Sequence, residues 1–232
     1  MPFERELEGR VAVITGAGRS IGRAMAIELA NAGCNVVVNV RSNRAEGEEV
    51  VKAVEKAGGR GMVGVADVID PKAVNAMVDA ALQKFGRIDY LVNNAALRQE
   101  KSIEHLTFED WRKVIGITLD GAFYCAQGCI PSMLKNGGGS IITLGGMQSL
   151  SGAKNRIHGS VAKHGLVGFT RGIAREFGDR NIRANCIAPG TMNTKRAAGR
   201  SERPAPTNIP LGRMGEAEEI ASVVRSEEHT SE

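Results

Sequence analysis

The sequence predicts a doubly wound α/β fold, a single parallel sheet with helices on both faces. Two observations carry that prediction. Short apolar runs rich in Val and Ile alternate with longer segments whose apolar residues recur every three or four positions. The runs are nearly continuous rather than polar-apolar alternations, as strands buried on both faces read. Crossovers of this length make the strand pairs parallel and the units right-handed. A chain of 232 residues, 42% hydrophobic and 24% charged, suits one such domain, and its 29 glycines forecast tight turns or close backbone approaches.

Taken in order, the predicted strands are Val11–Ile14, Val36–Val40, Gly61–Ala66, Ile88–Val92, Ser140–Leu144 and Ile182–Ala188. Helical period covers Gly22–Ala32, Ala45–Ala57, Pro71–Phe85, Phe108–Leu134 and Lys163–Phe177, and returns in GEAEEIASVV at 215–224. Trp111, Val114, Ile115, Leu119, Phe123 and Tyr124 form an apolar stripe on the fourth of these, which reads first as core. Two stretches break the regularity. Residues 95–106 follow the fourth strand, and 190–215, with Pro204, Pro206 and Pro210, follow the sixth and are long enough for a lid. Both lie after strand carboxyl ends, the edge at which such sheets bind ligands. No repeat or linker divides the chain, so residues 1–224 read as one domain and 225–232, RSEEHTSE, as a polar tail of non-native appearance.

The remaining composition narrows the function classes. A net charge of +4, evenly interspersed, with 4% aromatic residues argues against a nucleic-acid partner. The opening MPFERELEGR is charged, with no apolar leader, and no apolar run approaches the roughly 18 residues of a membrane span, so no membrane partner is expected. Cys34, Cys125, Cys129 and Cys186 make no CxxC pair and no metal spacing; no metal is expected, and a cytoplasmic location is the default.

The first strand runs into TGAGRSIGRAM, where Gly16, Gly18 and Gly22 flank a turn that opens a helix. Glycines there let backbone approach a diphosphate, and free N–H groups at the helix start stabilise the anion. The Lys of a nucleoside-triphosphate loop is absent. A dinucleotide without a 2′-phosphate would meet an acid at the end of the second strand. That end reads Asn39–Val40–Arg41–Ser42–Asn43–Arg44, and Arg41, Ser42 and Arg19 offer donors for a phosphate instead. NADP(H) is therefore favoured, with NAD(H) the alternative.

These residues resemble the short-chain dehydrogenase/reductase family, with similarity to members that reduce 3-oxoacyl thioesters. TGAGRSIG is similar to that family's T-G-x-x-x-G-x-G, with Ser20 at the usual middle Gly; Asp67–Val68, Asn93–Asn94–Ala95–Ala96, Lys163 and Pro189–Gly190 through Thr194 continue the resemblance across about residues 7–224. The resemblance implies a Rossmann sheet whose usual seventh strand is replaced by the polar tail. It implies that Gly16, Gly18, Arg19, Ser20, Ile21 and Gly22 meet the diphosphate, Asp67 and Val68 the adenine, and Asn94 and Ala95 the ribose. Lys163 would hold the ribose, and Pro189, Gly190, Met192 and Thr194 would seat the nicotinamide. The implied activity is hydride exchange between NAD(P)(H) and a small carbonyl or alcohol substrate, in a homodimer or homotetramer joined partly through the Phe108–Leu134 and Lys163–Phe177 helices.

The family's catalytic tetrad is Asn, Ser, Tyr and Lys. Counting from Lys163, the Tyr position is Gly159, the Ser position Gly146 and the Asn position Thr118, so Lys163 alone is retained. Losing a positioned general acid costs about 10²–10⁴-fold in rate, which leaves open a catalytically silent dinucleotide-binding protein. His158 is the foremost substitute acid, beside the Tyr position but about 100° round a helix from the Gly159–Lys163 row, unless the segment there is loop. Ser149, Ser151, Ser160 and His164 are lesser candidates. Arg156 with His158 could grip an anion, and Leu97, Arg98, Gln148, Met192 and Arg196 are candidate pocket residues.

Overall fold

The computed structural model describes residues 5–194 and 209–227. The expectations for Arg196, for residues 195–208 of the lid and for 228–232 of the tail lie outside the described residues. Six strands, β1 (Val11–Ile14), β2 (Asn35–Val40), β3 (Gly61–Val65), β4 (Tyr90–Asn93), β5 (Gly139–Leu144) and β6 (Ile182–Ile187), form one sheet in the order β3-β2-β1-β4-β5-β6. Every pairing is parallel. The order reverses at β1, which lies between β2 and β4 with Ile14 level with both Val38 and Val92. The carboxyl ends of β1 and β4 flank that reversal, the place at which doubly wound sheets bind ligands.

Alternate residues of the central strand serve two cores. Ala12 and Ile14 pack with Met25 and Leu29 of helix α1 (Ser20–Asn31) and with Ile220 and Val224 of α8 (Ala217–Ser226). Val11 and Val13 pack with Val74 and Val78 of α3 (Pro71–Phe85) and with Cys125 and Cys129 of α5 (Gly121–Lys135). This two-sided burial is why the strands read as unbroken apolar runs. Local signals fix the helix ends: Asp70 caps α3 by accepting from Lys72 N and Ala73 N at 2.9 and 3.3 Å, Pro71 follows, and Gly86 closes it at φ 80°. Helix α2 (Arg44–Lys56) begins on Asn43, whose side chain accepts from Glu46 N.

The structure corrects several boundaries. The expected single helix over 108–134 is α4 (Phe108–Ile115), a π-helical turn at Gly116–Asp120, and then α5. The stripe is split accordingly: Val114 and Ile115 are buried, while Phe123 is 47% exposed. A short helix α6 (Gln148–Ser151) precedes α7 (Ile157–Phe177), which starts six residues before the predicted Lys163 because Gly159 does not break it. His158 thus sits on a helix rather than a loop. The fourth strand starts at Tyr90, not Ile88, and the third and sixth each end one residue earlier than predicted.

Candidate functional site

At the head of β1 the chain makes the turn that the glycines foretold. Gly16 adopts φ +61°, and a Cβ at Gly22 would stand 2.4 Å from Gly16 O, so the turn folds onto α1 only with glycine there. A Cβ at Gly18 would press on Val40 and Glu46 at 3.0 Å. Ser20 opens α1 at φ +52°, a conformation glycine adopts more readily. Helix α1 begins after exposed, extended Arg19 with no side-chain cap and no acid in its first turn, and Ile21 follows half-buried. Its first N–H groups and the positive end of its dipole face the crevice.

Thr15 ties this turn to β4. Its Oγ1 accepts from Asn94 N at 2.9 Å and Ala95 N at 3.0 Å, and Asn94 Nδ2 returns bonds to Thr15 O and Gly16 O at 2.8 and 3.1 Å. On the other side lies Asn39, buried in β2, which reads from sequence as ordinary strand. Its Oδ1 accepts from Gly16 N at 3.1 Å, and its Nδ2 donates to Gly64 O and Ala66 O at 3.0 Å each. One amide therefore sets the turn relative to β2 and β3. Arg41 and Ser42 project from the end of β2 into solvent, with no acid beside them in sequence. Asp67 is half-buried and accepts from Ile69 N at 3.3 Å, while Val68 is buried against Gly121.

The second half of the site lies at the carboxyl ends of β5 and β6. Lys163 of α7 donates from Nζ to Leu144 O, and burial pushes its pKa down to about 8 against the opposing influence of Cys186. Gly145 N bonds Ile187 O at 2.8 Å and Met147 N bonds Pro189 O at 3.0 Å, which brings Pro189 and exposed Gly190 beside Gly146. Met192 and Thr194 are half-buried, in a segment tied to Gly215 by Gly215 N to Thr191 O at 2.9 Å. Gly146 has φ +97°, and Thr118 is buried in the π-helical turn. Ser149 spends its hydroxyl on Gly146 O at 2.7 Å, and Ser151 on Met147 O at 3.2 Å.

His158 is fully buried, and neither ring nitrogen has a hydrogen-bond partner. Burial pushes its pKa below the ordinary histidine value, with Asp110 acting in the opposite sense. Asp110 anchors the 95–106 stretch by accepting from Gln99 Nε2 and Lys101 Nζ at 2.5 Å each, and Lys101 N reaches Asn155 O at 2.7 Å. Arg98 and Arg156 both approach Glu100, at 2.9 and 4.0 Å. The structure thus gathers the turn glycines, Asn94 and Ala95 at one crevice, and Lys163, Gly146 and Pro189 next along the same sheet edge. His158 lies apart from the Lys163 row. Among the described residues no group of three or more His, Cys, Asp or Glu could hold a metal, and no helix is long and apolar enough to cross a membrane.

The model of the family described as enoyl-(acyl carrier protein) reductase matches residues 16–226. A 3-oxoacyl-[acyl-carrier-protein] reductase of Synechocystis is 35% identical over 219 residues, covering 94% of this chain and 89% of the relative. A cyclohexanol dehydrogenase of Acinetobacter is 36% identical over 223 residues, covering 96% and 88%. The crystal structure of a Sinorhizobium meliloti protein described as a candidate short-chain alcohol dehydrogenase superposes with a TM-score of 0.86 at 33% identity, covering 96% of this chain and 89% of that one.

Proposed function

The chain belongs to the short-chain dehydrogenase/reductase family, and from that premise we propose that it exchanges hydride between NADP(H) and a ketone or secondary alcohol. One observation carries the reading: the uncapped start of α1 behind a glycine turn, set at the β1–β4 crevice by Thr15, Asn94 and Asn39. The cradle fits a dinucleotide, since Gly22 lets the turn fold onto α1 and the first N–H groups of that helix are left without a side-chain cap. The residues that would hold it are Gly16 through Gly22 at the diphosphate, Asp67 and Val68 at the adenine, Asn94, Ala95 and Lys163 at the ribose, and Pro189, Gly190, Met192 and Thr194 at the nicotinamide. NADP(H), when bound, supplies or accepts the hydride.

Arg41, Ser42 and Arg19 support NADP(H) over NAD(H), because a guanidinium meets a 2′-phosphate with charge and paired donors. Replacing Arg41 by Ala is expected to weaken NADPH binding by about tenfold or more, as for a lost charged hydrogen bond, and to leave NADH binding unchanged. A fluorescence titration with each coenzyme checks it, and equal losses for both overturn the preference.

A second reading, a silent dinucleotide-binding protein, is supported by Gly146, Gly159 and Thr118, the residues at the positions where the resemblance to the family calls for Ser, Tyr and Asn. His158, the foremost of the substitute acids weighed from sequence, is buried and would need to reach the oxygen from off the Lys163 row. Absorbance of the nicotinamide over a panel of carbonyls and alcohols separates the two readings: turnover supports the enzyme, and saturable binding without turnover supports the silent protein. A homodimer or homotetramer, a one-domain chain and a cytoplasmic location complete the proposal, with exposed Phe123 of α5 a candidate contact.

A further inference from the structure

We infer that Lys163 is itself the acid and base of the reaction, giving its proton directly to the carbonyl oxygen in reduction and taking the hydroxyl proton in oxidation. The inference rests on the hydride-exchange reading above. Its geometric basis is the set of groups gathered at the carboxyl end of β5: Gly145, Gly146, Ser149, Lys163, Cys186 and Pro189. Two of these, Lys163 and Cys186, carry a side-chain proton that an amine or thiol can exchange. The Cys186 sulfur lies 2.9 Å from where a Cβ on Gly145 would stand, packed against the strand backbone. Ser149 already donates to Gly146 O. His158 lies about 100° round α7 from the row of Gly159 and Lys163.

One turn before Lys163, on the same face of α7, stands Gly159, which carries no side chain. A lysine in this position does two jobs that the family divides. Its charge meets the negative oxygen that develops as hydride arrives, and its N–H bond supplies the proton. Burial, opposed by the Cys186 thiol of β6, sets its pKa at about 8, close to the pH at which general acids and bases are most effective.

In reduction, hydride adds to the carbonyl carbon and the π pair moves to oxygen. That oxygen takes a proton from the Lys163 ammonium, and the neutral amine regains one from water. In oxidation the neutral amine removes the hydroxyl proton as hydride leaves carbon. The reduction kcat therefore falls as pH rises through about 8, and the oxidation kcat rises through the same pH.

The test uses the whole chain and the variants Lys163→Ala and Lys163→Arg, with coenzyme affinity read by fluorescence and kcat at saturating coenzyme. Lys163→Ala is expected to lose about 10²–10⁴-fold in kcat, to lose the pH dependence near 8, and to recover rate with added primary amines in proportion to their acid strength. Lys163→Arg keeps the charge but cannot give up its proton, so it is expected to remain impaired. A merely structural or ribose-binding lysine would show no graded amine rescue. If folded wild-type protein binds neither coenzyme, the hydride-exchange reading itself falls. If coenzyme binds but Lys163→Ala keeps the wild-type kcat and pH profile, only the inference about Lys163 falls. Binding without turnover by the wild type overturns the inference in favour of the silent protein.

Discussion

Asn39 is 2% exposed, yet its side chain bonds three backbone groups on two neighbouring segments. Replacing it by Ala leaves Gly64 O and Ala66 O without those partners in a buried setting, and Gly16 N without its partner at the exposed turn. The expected cost is about 2–3 kcal/mol, read by urea unfolding, together with weaker NADPH binding because the turn loses its stop against β2. Unchanged stability would mean that water replaces the amide and that Thr15, Asn94 and the Ala17 N to Asn39 O backbone bond suffice to hold the turn. At this scale the sequence was legible where chemistry demands one residue type: Gly22 meets a steric condition that only glycine satisfies, and Gly16 has a positive φ that glycine adopts most readily. Asn39 was not legible, because a single polar residue inside an apolar run reads as strand, and its partners are 23 to 27 residues away. Ser20 is intermediate. Its φ of +52° explains why glycine is usual there, but nothing in its neighbours announces the angle.

Elements were predicted by period, and period recovers existence better than ends. All six strands and the flanking helices were found, because burial on both faces and amphipathic spacing are local properties of the sequence. The π-helical turn at Gly116–Asp120 was not, since one extra residue in a turn leaves the apolar spacing nearly intact. The start of α4 falls at the predicted Phe108, where the structure shows a capping box: Thr107 Oγ1 accepts from Asp110 N at 3.1 Å, and Asp110 accepts from Thr107 N at 3.2 Å. The same Asp110 holds Gln99 and Lys101, so the cap also anchors the 95–106 stretch beside the crevice. Thr107→Ala is expected to lower stability by about 1 kcal/mol and to speed amide exchange at Lys101, whose N–H bonds Asn155 O. Loss of stability without faster exchange at Lys101 would show that the cap and the stretch are independent.

Across the whole molecule, buried titratable groups pull the alkaline stability in opposite directions. Burial raises the Cys125 thiol to about 12 and the Cys129 thiol further, so the folded chain keeps protons that the unfolded chain sheds above about 8.5. Their stabilisation is complete below that pH and is lost as pH rises, at about 1.4 kcal/mol per pH unit for each thiol. Lys163 has the reverse sign: its folded pKa is depressed to about 8, so between about 8 and the ordinary lysine value near 10.4 the unfolded chain holds the extra proton and stability rises with pH. By pH 10 the two thiols together remove about 4 kcal/mol and Lys163 restores about 2. Wild-type protein is therefore expected to lose about 2 kcal/mol between pH 8 and 10, and Lys163→Met about 4, in urea unfolding at each pH. Parallel profiles for the two would mean that Lys163 titrates alike in folded and unfolded chains. The burial that suits it to proton transfer near pH 8 would then be absent, and the pH dependence of turnover would need another group.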